Sequence, residues 1–349
     1  MLVLGIETSC DETAVAVVNK NRKILSNVIL TQIQEHKPYG GIVPELAARA
    51  HLKQLHFIID EAMKKARINF TDITAIAATA GPGLIGGLLV GVTMAKAMAS
   101  VHEKPFLAIN HLAGHALIPR LTDRVKFPYL LLLTSGGHCQ LLVVEGADSF
   151  NRIGTTKDDA LGEVFDKVAK MLGLGIPGGP VVQKCAEAGN SSRFLLPRPM
   201  LGRTGCDFSF SGLKTAVRFL IEKFPANRLT SEDIADICAS FQLAATEAVV
   251  DRTGHAIDIC KKNYPRINRL VISGGVAANT KLRRCLKTLT AAKDFQFTAP
   301  PIDLCTDNAV MIAWAALEKL NKEQINNKND DMSFKPRPRW PLSQKNQLI

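Results

Sequence analysis

Eight cysteines (Cys10, Cys139, Cys185, Cys206, Cys238, Cys260, Cys285 and Cys305) are scattered without one C-x-x-C pair, which argues against a zinc ribbon or a disulfide framework and for reduced thiols. No window approaches the ~18 consecutive apolar residues that a membrane span needs. The richest stretch, residues 84–99, is broken by Lys96 and several glycines, so no spanning segment is expected. The first residues, MLVLGIETSC, lack a basic region before an apolar run and lack an Arg-rich leader. The expected location is the cytoplasm; a mitochondrial matrix location would require a transit peptide already removed. Acidic residues are in deficit, 32 against 43 Lys+Arg, and the resulting net charge of +11 attracts polyanions such as nucleic acid. Aromatics are only 6% of the chain, so the basic residues favour phosphate contacts over base stacking, with simple solubility as the equal alternative.

What is present is an ordinary globular composition, 46% hydrophobic and 21% charged, over 349 residues, a length that favours two domains. Residues 2–6 form a short apolar strand, followed by a polar turn at 7–13 and a second apolar run at 14–18, the pattern of a hairpin. The same pattern returns at 130–144. A second unit also repeats: a strand at 73–79 enters a helix through Gly81, Pro82 and Gly83, and a strand at 270–273 does so through Gly274 and Gly275. With helices expected at 44–65, 159–172 and 234–260, the chain reads as two related α/β lobes, 1–128 and 129–308. A last helix, 309–321, is expected to join the first lobe, and residues 322–349 form a partly extended tail.

Four constellations carry chemistry. His111 and His115 stand at i and i+4 on an expected helix, side by side as a shared metal requires. No Glu follows His111, so the H-E-x-x-H peptidase pattern is absent. Asp307, in the polar break before the last helix, serves either as a third ligand or as that helix's N-cap. Two imidazoles and a carboxylate suit iron(II) or zinc, and the spacing does not separate them.

Second, glycine-rich turns following strands are expected at 134–138 (Thr134, Ser135, Gly136, Gly137, His138), at 176–180 (which includes Gly179) and at 273–279 (which ends in Asn279). Such turns let backbone N–H groups approach a phosphate, although none matches the P-loop or dinucleotide fingerprint. Third, Asp159, Glu163 and Asp166 are spaced to share one helix face, either solvated or, for Asp166, reaching a ribose hydroxyl. The hairpin tip ETSCDE (residues 7–12) gathers hydroxyls and carboxylates suited to a ligand's polar end, though turn propensity also accounts for Ser9 and Asp11.

The strings GIETSCDET (5–13), GGIVPELA (40–47), AGPG (80–83), HLAGH (111–115), SGGH (135–138), FSFSGLKT (208–215), GGVAAN (274–279), CTDN (305–308) and RPRWPL (337–342) closely resemble the TsaD family, in its bacterial or mitochondrial branch. The resemblance implies an actin-like ATPase fold of two duplicated lobes with a nucleotide and metal cleft between them. It also implies transfer of a threonylcarbamoyl group from threonylcarbamoyl-adenylate to N6 of the adenosine 3′ of the anticodon, in tRNAs reading codons that begin with A. Carried over, His111, His115 and Asp307 hold one divalent metal, iron(II) first and zinc second. An adenine nucleotide meets Thr134, Ser135, Gly136, Gly137, His138, Asp166, Gly179 and Asn279, and Glu12 orients substrate or manages a proton. Implied partners are tRNA with either a TsaB-like paralogue and a TsaE-like ATPase, as in bacteria, or a second copy, as in mitochondria. Asn110, where many members carry another His, and Gln183, acidic in some relatives, depart from the pattern.

Overall fold

In a computed structural model of the chain, which describes residues 1–225, 229–323 and 331–343, the polypeptide divides into two compact units. The first holds Met1–Lys126, the short stretch Gly146–Ser149 and the described residues from Thr306; the second holds Phe127–Glu145 and Phe150–Cys305.

In the first unit, β1 (Leu2–Glu7), β2 (Glu12–Asn19) and β3 (Ile24–Thr31) form an antiparallel meander, so Glu7 and Glu12 belong to strands and the hairpin tip shrinks to four residues. A short helix α1 (Ile33–His36) precedes α2 (Pro44–Ala66), which opens on proline, the residue whose missing N–H costs nothing in a first turn. β4 (Ala75–Gly81), α3 (Ile85–Val101), β5 (Phe106–Asn110) and α4 (His111–Thr122) complete the order β3-β2-β1-β4-β5, with β1, β4 and β5 parallel. β4 is buried along its whole length, which is why its sequence runs apolar instead of alternating. The last helix, Ala309–Glu323, lies directly on β1: a Cβ at Gly5 would fall 2.6 Å from Ala309 O and Ala313 N, so glycine admits the helix.

Over residues 331–343 the expected partly extended tail is an extended strap bonded to this unit. The Asp331 N–H donates to Phe106 O (2.8 Å), Arg337 N–H to Ala80 O (2.7 Å), and Gly83 N–H to Pro338 O (3.2 Å). The Arg337 guanidinium lies 4.6 Å from the Phe334 ring centre, an aromatic contact that anchors an otherwise polar segment. The rest of the expected tail, residues 324–330 and 344–349, lies outside the described residues.

The second unit repeats the plan. β6 (Tyr129–Thr134), β7 (Cys139–Gly146) and β8 (Ser149–Thr155) are followed by helices α5 (Leu161–Met171), α6 (Gly178–Ala186), α7 (Ser211–Glu222) and α8 (Ser231–Asn263). Then come β9 (Arg269–Ser273), α9 (Thr280–Ala292) and β10 (Gln296–Thr298). Its sheet order, β10-β9-β6-β7-β8, is that of the first sheet read from the other edge, with β6, β9 and β10 parallel and β6–β7 antiparallel. The sequence echo is therefore a repeated topology.

Two expectations change here. α5 begins at Leu161, so Asp158 and Asp159 precede it and do not share a face with Glu163 and Asp166. The Asp158 carboxylate draws the chain out of helix, accepting from the Ser209 hydroxyl, Phe210 N–H (2.7 Å) and both the Ser211 N–H (3.2 Å) and hydroxyl (2.8 Å). It thereby caps the N-terminus of α7, a role that carboxylates favour. The turn at 176–180 also follows a helix, α5, and not a strand; Gly173 and Gly175, at φ +69° and +85°, end that helix in the left-handed region.

Candidate functional site

α4 starts on the residue after β5, with no loop between, because Asn110 supplies the cap. Its Oδ1 accepts from Leu112 N–H (2.9 Å) and Ala113 N–H (3.3 Å), while its Nδ2 donates to Trp340 O in the strap (3.0 Å). Gly114 then brings α4 against the last helix, since a Cβ there would sit 3.0 Å from Met311 Cγ and 3.2 Å from Ile312 Cδ1. The two histidines flanking this contact consequently face the residue just ahead of the last helix, Asp307.

Ligand atoms of His111, His115 and Asp307 all lie within 4.8 Å of one another. His115 Nε2 is 3.1 Å and His111 Nε2 3.4 Å from Asp307 Oδ1, with His115 fully buried. The helix-cap alternative for Asp307 is met by its neighbour: Asn308 Oδ1 accepts from Met311 N–H (3.0 Å). Behind His111 stands Glu7, 1% exposed, its Oε2 at 3.0 Å from His111 Nδ1, with Ser9 Oγ at 3.1 Å from the same nitrogen. Glu7 is itself held by the Ser9 N–H (2.6 Å) and the Thr79 hydroxyl. A carboxylate accepting the Nδ1 proton leaves Nε2 with its lone pair toward Asp307, the arrangement that metal-ligating histidines recurrently show. The donor set therefore fits a divalent cation that takes imidazole and carboxylate.

Electrostatics agree. Burial works against charge on all three of Glu7, His111 and Asp307, but mutual attraction prevails: Asp307 and Glu7 hold His111 well above the ordinary imidazole value, and His111 holds both carboxylates below theirs. Glu12, at the start of β2, goes the other way, raised well above the carboxylate range by burial and then by Asp307 and Asp11. Burial and Asp11 likewise push the Cys10 thiol up, so it is no thiolate nucleophile at neutral pH.

The glycine turns are all in the second unit, and close approach assembles them. Gly274, at φ +94°, would place a Cβ 2.4 Å from Thr134 O; Gly162 at the start of α5 would place one 2.7 Å from Ser135 O; Gly178 would place one 2.4 Å from Asp166 Cα. Gly136, Gly137, Gly179 and Gly275 instead face space with nothing within 4 Å of such an atom. One set of glycines packs the frame and the other leaves its backbone accessible. Ser135 N–H bonds to His138 O (2.8 Å), closing the first turn. Asp166 Oδ1 accepts from Gly178 N–H (2.8 Å), tying α5 to the second turn. Asn279 caps α9 through Leu282 N–H (2.9 Å) and donates to Gln242 Oε1 (2.8 Å); Gln183 Oε1 accepts from Thr280 N–H (2.8 Å) at the same helix start.

Glu7, Thr79 and the Asn110–Trp340 bond escaped the sequence reading as parts of a metal centre. The available signal for Glu7 was a charged residue ending an otherwise apolar strand; the others depend on chain segments far apart in sequence.

Comparison with known proteins places these features. The family model described as "TsaD: tRNA N6-adenosine threonylcarbamoyltransferase" matches residues 23–314. A protein named tRNA N6-adenosine threonylcarbamoyltransferase from Paramagnetospirillum magneticum is 57% identical over 342 residues, covering 98% of this chain and 97% of the relative. One of the same name from Rhodospirillum rubrum is 56% identical over 345 residues, covering 97% and 94%. Among solved structures, full-length HypF in a phosphate- and nucleotide-bound form overlays with a TM-score of 0.59 at 15% identity, over 93% of this chain and 56% of HypF. The activator of 2-hydroxyisocaproyl-CoA dehydratase from Clostridium difficile, with bound ADPNP, gives 0.51 at 14% identity, over 94% and 99%. The fold is that of the actin-like ATPases. Within that class, the chain belongs to the TsaD family of tRNA N6-adenosine threonylcarbamoyltransferases.

Proposed function

We propose that this enzyme modifies tRNA through the metal centre and glycine turns described above. The activity itself follows from near-full-length identity to the named transferases: a threonylcarbamoyl group passes from threonylcarbamoyl-adenylate to N6 of the adenosine 3′ of the anticodon, in tRNAs reading codons that begin with A, and AMP leaves.

His111, His115 and Asp307 hold one divalent cation, supported by the convergence of two imidazole nitrogens and a carboxylate oxygen; the family resemblance puts iron(II) before zinc. When bound, the cation supplies Lewis acidity toward the carbamoyl or threonyl oxygens. Glu7 fixes the tautomer of His111. Backbone N–H groups of the open turns, residues 134–138 and Gly179, receive the adenylate phosphate and stabilise its charge as AMP departs, with Asp166 and Asn279 framing the nucleotide. Adenine's exocyclic amine is a weak nucleophile, so holding it against the acyl carbon supplies much of the rate. Glu12, at the start of β2, orients substrate or manages a proton.

The family resemblance implies as partners a TsaB-like paralogue and a TsaE-like ATPase, or a second copy of the chain, with the cytoplasm as the compartment; the named relatives above are bacterial, which favours the first. No helix of the described residues is long and apolar enough to cross a membrane. The test is mass spectrometry of tRNA nucleosides from cells depleted of this protein and rescued with wild type or His115→Ala. Threonylcarbamoyladenosine restored by wild type alone supports both the activity and the metal centre; its persistence after depletion overturns the activity.

A further inference from the structure

A cavity of about 320 Å³ opens between α5 and α7, lined by Lys167, Lys170 and Met171 on one side and Lys214, Thr215 and Arg218 on the other. The lining residues sit at i, i+3, i+4 on α5 and i, i+1, i+4 on α7, so each helix turns one face to the space. The surface of the cavity is nearly all apolar, made largely by the stems of these long side chains with Met171, and four of the lining residues carry a cationic head. Two of them are fixed by the wall itself: Asp159 binds both Lys214 and Lys167 (3.5 Å to the latter), and Glu163 binds Lys167 at 2.5 Å. Those acids keep the heads in place but neutralise them. Lys170 has no acidic partner among the described residues, and Arg218 meets only Glu222, at 3.4 Å in an exposed i,i+4 pair of little worth. The Arg218 guanidinium lies 4.9 Å from the centre of the Phe219 ring, a half-exposed aromatic beside the opening.

We propose that this pocket binds the phosphodiester backbone of the tRNA anticodon loop, with Lys170 and Arg218 as the phosphate contacts. The assignment rests on the transfer reading above. Glu163 N–H donates to Gly136 O (3.1 Å), so the first glycine turn abuts one end of α5. Lys170 lies seven residues farther along, about 10 Å at ~1.5 Å per residue. That is roughly three stacked nucleotides at ~3.4 Å each, a span over which a strand whose adenosine reacts with an adenylate held at the turn can reach this pocket. A free phosphate would satisfy the two cations. The exposed Phe219 and the aliphatic floor additionally suit a nucleoside, since aromatic faces stack bases without regard to sequence.

The experiment compares the full-length enzyme with the Lys170→Ala/Arg218→Ala double variant and the charge-preserving Lys170→Arg/Arg218→Lys. Binding of an unmodified tRNA transcript is measured by fluorescence anisotropy across a salt series, and ATP binding by calorimetry. The alanine pair is expected to weaken tRNA binding about tenfold near 0.15 M salt and to lower the slope of log K against log salt by about 1.4, or ~0.7 per single-strand phosphate contact. ATP affinity should stay unchanged and the charge-preserving pair should bind tRNA as wild type does. Wild-type tRNA binding in the alanine pair overturns the proposal, as does loss of ATP binding in place of tRNA binding. If the wild-type enzyme transfers no threonylcarbamoyl group, the transfer reading fails first, an outcome distinct from a transferring enzyme whose pocket variants bind tRNA normally.

Discussion

One amide connects the C-terminal strap to the metal-binding helix: Asn110 Nδ2 donates to Trp340 O at 3.0 Å while Asn110 Oδ1 caps the helix that begins at His111. The side chain's two ends therefore fix the register of α4 against a segment 230 residues away in sequence. Asn110→Asp keeps the cap acceptor and removes the donor, whereas Asn110→Ala removes both. The alanine variant should lose about 1 kcal/mol of stability from the missing cap, and both variants should bind iron(II) or zinc more weakly than wild type. Thermal unfolding and metal titration separate the two effects; unchanged metal affinity in both variants would show that the strap does not position His111.

Glu7 supports the same ligand from behind. Its Oε2 stands 3.0 Å from His111 Nδ1, and such outer partners are typically worth about 10- to 100-fold in metal affinity. Glu7→Gln preserves volume but can turn its amide N–H toward Nδ1, favouring the tautomer whose proton sits on Nε2 and blocks coordination. Metal content after equilibration with a competing chelator should fall by that factor, and near-wild-type content would count against the orienting role.

Much of this was legible beforehand, for a physical reason. The H-x-x-x-H pair and Asp307 are local patterns whose spacing alone puts donors on one face or at a helix start, and the repeated hairpin showed in buried apolar runs such as residues 130–133. Glu7, Thr79, Asn110 and Trp340 are joined by bonds between distant segments, which no local period encodes. Asp159 was expected on a helix that begins only at Leu161: the carboxylate of the neighbouring Asp158 satisfies N–H groups some 50 residues downstream, and this overrode local propensity.

That carboxylate predicts a pH dependence. Burial opposes its charge, but bonds from Ser209, Phe210 and Ser211 hold Asp158 below the ordinary aspartate value. A lowered folded-state value means the contribution is complete above the unfolded value of about 3.9 and is lost as pH falls through the folded one. Wild type should therefore lose stability on acidification below about pH 4 more steeply than Asp158→Asn. Urea midpoints between pH 6 and pH 3 check this, and parallel curves for the two proteins would refute it.

Arg252 is the largest wholly buried side chain among the described residues, and it is a guanidinium. Its Nε donates to Asp251 Oδ2 (2.8 Å) and its Nη1 to Arg203 O (2.6 Å) and Gly205 O (3.2 Å), stitching the loop before β-bridge residue Phe208 to α8. Arg252→Ala leaves the Arg203 and Gly205 carbonyls without their donor, while Asp251 keeps the Gly202 N–H at 3.3 Å, a loss of about 1–3 kcal/mol. Chemical denaturation reads it directly; a loss below 1 kcal/mol would mean that water replaces the guanidinium there.

The two classes of glycine give the sharpest separation of folding from ligand binding. Gly274 combines φ +94° with a Cβ position 2.4 Å from a backbone oxygen, so Gly274→Ala must move the Thr134 turn and should unfold at lower temperature. Gly179 has an ordinary φ, and a Cβ added there meets nothing within 4 Å outside its own turn of α6, so Gly179→Val should fold with near-wild-type stability. Two methyl groups would nevertheless fill space a phosphate must enter to reach the backbone N–H groups. Adenine-nucleotide affinity should therefore drop at least tenfold in Gly179→Val without a matching fall in melting temperature. Equal nucleotide binding by wild type and this variant would place the phosphate elsewhere than at the Gly179 N–H.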